Sequence, residues 1–139
     1  RGLLADGGQD RIRLQTIKGK VGYRIVKFQI FPNLPGTADV ESTFQIFKEE
    51  QSSVSTSTAT VDFTSASLLA VAYMADRGAA GPNSPLHVVF DNEVFNQDIY
   101  ITHTDTTSTG SLNSYLEVGI IPRDDLSAEY TTLKDMRQA

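Results

Sequence analysis

The chain has no cysteine and no tryptophan among its 139 residues. Without thiols there is no disulfide framework and no Cys-type zinc site, so stability must come from packing or from assembly with partners. Long apolar runs are missing too. None approaches the ~18–20 residues of a membrane-spanning helix, and no secretory leader pattern is visible. Positive charge is scarce and dispersed: 12 Lys and Arg stand against 17 Asp and Glu, for a net charge of −5. A nucleic-acid binder concentrates its cations in a stripe, so neither nucleic acid nor membrane is the expected partner. A chain of this length is expected to form one domain with a real core.

Catalytic motifs are equally sparse. No G-x-S-x-G surrounds a serine. Gly7-Gly8 and Gly78-Ala79-Ala80-Gly81 lack the order of a phosphate loop. Asn83-Ser84-Pro85 approaches a glycosylation acceptor and ends in the wrong residue. The only histidines are His87 and His103, on separate strands that could pair and hold a metal with a carboxylate. No ligand spacing supports that, and both read as surface or rim residues. Asp91, Asn92, Glu93, Asn96 and Asp98 gather oxygen ligands of the kind calcium takes, without the EF-hand spacing or its glycine. They read first as a turn in which side chains bond local amides. Glu49-Glu50 and Asp124-Asp125 are adjacent pairs; on a strand their members point to opposite faces, unlike a catalytic carboxylate pair. No catalytic residue, cofactor or metal site is expected.

What the chain has in quantity is alternation. Arg11-Ile12-Arg13-Leu14 opens a half-buried strand with Ile12 and Leu14 on one face. Residues 21–31 form a longer strand with Val26, Phe28 and Ile30 in phase, stopped by Pro32-Asn33-Leu34-Pro35-Gly36. Residues 41–49 follow, with Phe44 and Ile46 in phase, and a Ser/Thr-rich loop covers residues 52–58. Residues 60–64 read as a short strand around Val61 and Phe63. Residues 68–75 read as a strand, a short helix being the alternative that their Leu and Ala content allows. Residues 86–90, 98–104 and 113–121 complete about eight strands, the last with Leu116, Val118 and Ile120 in phase.

There is no strand–helix alternation, hence no parallel sheet, and no internal repeat. The expected fold is all-β: one domain over residues 1–139, a two-sheet antiparallel sandwich with jelly-roll or Greek-key connections. An immunoglobulin-like sandwich is the alternative, without its Cys and Trp landmarks. Residues 1–10 read as an N-terminal arm. Residues 127–139 read as a C-terminal arm or short helix, with Tyr130 and Leu133 at helical spacing. Ile25, Phe31 and Phe47 fall out of phase with the core. They mark either a face that meets a partner or an extra layer within the domain. With Tyr130 and Leu133 they are the candidate interface residues.

Four phrases carry a resemblance: Val21-Gly22-Tyr23-Arg24-Ile25-Val26-Lys27-Phe28, the run from Phe90 to Ile101, Tyr115-Leu116-Glu117-Val118, and Thr132-Leu133-Lys134-Asp135. Together they resemble a family of small virion structural proteins of marine tailed bacteriophages, over most of the chain from about Arg11. The resemblance implies a non-enzymatic particle component in many copies. It points to a capsid decoration or cement protein located in the virion, which assembles with itself and with the major capsid protein. The alternative is a tail or host-attachment sandwich that binds carbohydrate, for which an aromatic platform would be needed. A hydrolase on the same scaffold ranks below both, since no acid–base pair is in view.

Overall fold

The computed structural model describes residues 1–14, 21–36, 39–76, 84–107 and 110–122. Among them there is no helix. Eight strands run β1 (Gly2–Leu4), β2 (Gln9–Ile12), β3 (Val21–Pro32), β4 (Val40–Phe47), β5 (Leu68–Asp76), β6 (Ser84–Phe90), β7 (Ile99–Asp105) and β8 (Leu112–Pro122). They form two antiparallel sheets, one of three strands in the order β1-β8-β3 and one of five in the order β2-β7-β4-β5-β6. Their inner faces share one core. Leu4, Tyr23, Ile25, Phe28, Ile30 and Leu112 come from the smaller sheet, and Phe44, Ile46, Ala70, Ala72, Ile99 and Ile101 from the larger. The expected two-sheet all-β sandwich is the observed one, and residues 68–75 resolve as strand.

Phase within β3 differs from simple alternation. The pairing with β8 shifts between Ile25 and Lys27, a β-bulge that inserts one residue. Tyr23 and Ile25 therefore lie on the same buried face as Phe28 and Ile30, and Val26 is turned out to solvent. Ile25, expected to face outward, is a core residue, and Val26, expected inside, is not. Gly119 stands opposite the bulge; a Cβ there would come within 3.0 Å of a Val26 methyl.

The first ten residues depart from the arm expected of them. β1 pairs with β8 in one sheet and β2 with β7 in the other. The chain crosses between sheets at Gly7, whose φ of 74° few other residues adopt comfortably. The Gly7 amide donates to the His103 carbonyl at 2.9 Å, and the His103 amide donates to the Gly8 carbonyl at 3.1 Å. A short segment with weak strand pattern is held by ladder bonds from both sides.

The strand expected at residues 60–64 is not formed. The Asp62 carboxylate accepts from both the amide and the hydroxyl of Thr64, and the Asp62 carbonyl accepts from the Ser65 amide. That local turn competes successfully with a ladder. The loop over residues 49–67 lies across the outer face of the larger sheet instead. Gln9 and Gln51 exchange side-chain-to-backbone bonds at 3.0 and 2.9 Å. Gln45 donates to the Thr60 carbonyl and Thr104 to the Ser55 carbonyl. These bonds satisfy the buried side chains of Gln45 and Thr104, while the Thr102 hydroxyl donates to the Gln45 carbonyl of the neighbouring strand. Residues 127–139, with Tyr130 and Leu133, lie outside the described residues, as do Asp124 and Asp125.

Candidate functional site

The one histidine inside the sandwich is His103, which is fully buried. Alternation along β7 turns it inward beside Ile101 and Asp105, and β4 places Phe44 directly opposite. The two rings stack with centroids 4.4 Å apart. His103 Nδ1 lies 2.9 Å from the Leu4 carbonyl and Nε2 lies 3.0 Å from Ser42 Oγ. A carbonyl only accepts, so Nδ1 carries the proton and the Nε2 lone pair accepts from the serine hydroxyl. Burial pushes the imidazole below its ordinary pKa. The bond to Leu4 and the carboxylates of Asp105 and Asp6 oppose that push without overcoming it. Ser42 and His103 thus have the separation of a nucleophile and its base. Both are wholly enclosed, however, and a main-chain carbonyl occupies the position of an orienting carboxylate. The pair satisfies buried polar atoms between two strands and the β1 terminus.

His87 lies apart from it. It sits exposed on β6, and β4 and β5 stand between β6 and β7 in the sheet. The structure does not bring the two histidines together, and His103 is a core residue where a rim residue was expected. The oxygen-rich stretch of residues 91–98 is divided among separate tasks. Asp91 accepts from the Glu93 amide. Glu93 meets buried Lys48 at 2.6 Å. Asp98 accepts from the Leu14 amide at 2.9 Å and from Arg11 Nε at 2.7 Å. The Leu14 bond is the main cause that lowers the Asp98 carboxyl, with Arg11 assisting. No group of three potential metal ligands occurs among the described residues.

The accessible features are apolar and lie on outer faces. On the three-stranded sheet, Leu3, Asn113 and Phe31 stand in one row across β1, β8 and β3, and Gln29 faces Tyr115 in the next. Leu3 is 53 % exposed, Phe31 61 % and Tyr115 43 %. With Leu86 from β6 they line a groove of about 670 Å³. Lys27 Nζ sits 5.5 Å from the centre of the Tyr115 ring, within cation–π range. Phe63 and Val89 form a second patch on the outer side of the five-stranded sheet, beside Leu68 and Asp91.

Of the residues singled out from sequence, Phe31 is therefore on an open face. Phe47 is half-buried beside Gln45, Gln51 and Thr58, under the loop of residues 49–67, which forms the extra layer within the domain. Leu3, Tyr115, Phe63 and Val89 were not anticipated. Tyr115 had a signal: it alternates against Leu116 and Val118 and so falls on the opposite face. Leu3 had none, since its place depends on the pairing of β1. No family model, curated protein or solved structure matches this chain.

Proposed function

We propose that the chain is a non-enzymatic structural protein of a bacteriophage particle, a capsid decoration or cement protein that assembles with itself and with the major capsid protein. The observation that carries the assembling role is the Leu3–Phe31–Tyr115 strip on the outer face of the three-stranded sheet. An exposed cluster of large side chains on a rigid sheet favours contact with another macromolecule. Ser42 and His103 are enclosed, so this pair offers no accessible nucleophile. The particle itself is supported by the resemblance of the four strand phrases to virion proteins. Copy number in purified particles, measured by peptide mass spectrometry, tests the reading. Abundance matching the major shell subunit is the expected result; absence from particles overturns it.

A second reading has its own observation. The groove combines the exposed rings of Phe31 and Tyr115 with the amides of Gln29 and Asn113, the pairing of aromatic face and hydrogen-bonding group that sugar rings use. A tail or host-attachment protein that binds carbohydrate would show glycan-array signal lost in Tyr115→Ala. No signal for the parent protein eliminates this reading.

A further inference from the structure

The two apolar patches differ in the charge around them. Around Leu3, Phe31 and Tyr115 stand Arg1, Arg24 and Lys27, with Glu117 the one carboxylate on that face among the described residues; Arg24 and Lys27 extend the strip along β3, and Arg1 lines its groove. Around Phe63 and Val89 stand Asp91 and Glu93, with Asp62 next to Phe63 in the chain; among the described residues Lys48 is the one cation there, and it is already paired with Glu93. One patch is rimmed by positive charge and the other by negative. They occupy the outer faces of different sheets, so a single chain cannot close one upon the other. Two copies can.

We propose that copies of this chain associate head to tail. The cation-rimmed strip of Leu3, Phe31 and Tyr115 on one copy seats on the anion-rimmed patch of Phe63 and Val89 on the next. A self-complementary contact through either patch alone would oppose like charges, which costs affinity and suppresses that pairing. Contact between unlike patches brings Arg24 and Lys27 towards Asp62 and Asp91 and covers both apolar surfaces. Because the pair then retains one free strip and one free patch, association continues into a ring or an open row. The inference rests on the reading of the chain as an assembling protein and adds the geometry of its self-contact.

The test uses two surface variants of the full chain, Phe31→Glu and Val89→Glu, each keeping one patch intact. Light scattering across a concentration series is expected to give species larger than a dimer for the parent and monomers for each variant alone. An equimolar mixture of the variants is expected to give a one-to-one dimer and nothing larger. Lys27→Glu and Asp91→Lys form a second pair that leaves the apolar residues in place. Each alone is expected to weaken association roughly tenfold or more, and mixing the two places the exchanged charges in opposition again. A homodimer of Val89→Glu alone would overturn the inference, because the strip would then pair with itself; the assembling role would survive. A parent that stays monomeric at every concentration also overturns the inference. The assembling role falls with it only if purified shells also fail to bind the parent.

Discussion

At the scale of single residues, His103 shows how a polar group is tolerated in an apolar core. Both ring nitrogens are satisfied when the ring is neutral, and a second ring proton would face a serine hydroxyl that already donates to it. Burial holds the imidazole pKa of the folded state below its ordinary 6.5. Between those two values the unfolded chain binds more protons than the folded one, so stability rises with pH across that window. The contribution is fully present above about pH 6.5 and is lost as pH falls towards the depressed value. Chemical denaturation from pH 7.5 downwards is expected to show this slope, and His103→Gln to flatten it. His103→Leu leaves the Ser42 hydroxyl and the Leu4 carbonyl without their partner and is expected to cost about 1–3 kcal/mol. Lys48 presents a different balance. Its ammonium is almost fully buried against Glu93, so Glu93→Gln is expected to destabilise the fold by about 1–3 kcal/mol, less than a completely enclosed pair would lose. Arg11, at an exposed ion pair with Asp98, is expected to change denaturation midpoints far less when replaced by Ala.

At the scale of elements, the ends of the sandwich are set by β1 and by the bulge in β3. β1 is three residues long and carries one buried side chain, Leu4, yet its carbonyl fixes the His103 ring and its pairing completes the smaller sheet. Hydrogen exchange on the isolated monomer is expected to show protection at the amides of Gly7 and His103, which bond across this junction. Free exchange at both would mean that the first ten residues order only on assembly. Gly7→Ala places a side chain at a φ of 74° and within 2.6 Å of a Thr56 methyl. It is expected to cost about 1–2 kcal/mol, read as a lower denaturation midpoint. The bulge lies in the pairing of β3 with β8, where Val26 is the extra residue. It inverts the phase of a single strand, so Ile25 rather than Val26 enters the core, and it places Val26 beside the Phe31 and Tyr115 face.

At the scale of the whole molecule, two sheets leave two outer faces with unequal cover. The five-stranded sheet is overlaid by residues 49–67 across its polar row, which leaves Phe63 and Val89 open at one side. The three-stranded sheet has no such cover among the described residues, and Leu3, Phe31 and Tyr115 remain accessible. Association through such faces is expected to weaken as ionic strength rises, because rim charges are screened over about 8–10 Å near physiological salt; light scattering at low and high salt checks this. Alternation of apolar residues sufficed to determine the all-β class, most strand positions and the core places of Phe28, Ile30, Phe44 and Ile46, because burial on one face of a strand imposes a period of two. It could not locate the bulge, which breaks that period, nor the turn at Asp62, where a side chain outcompetes a ladder. Nor could it distinguish a buried His103 from an exposed one, or Phe47 beneath a loop from Phe31 in the open. Those outcomes depend on which distant segments pair with or lie over each strand. Sheet order and loop path are properties of the folded chain as a whole, and the tertiary structure alone decided them.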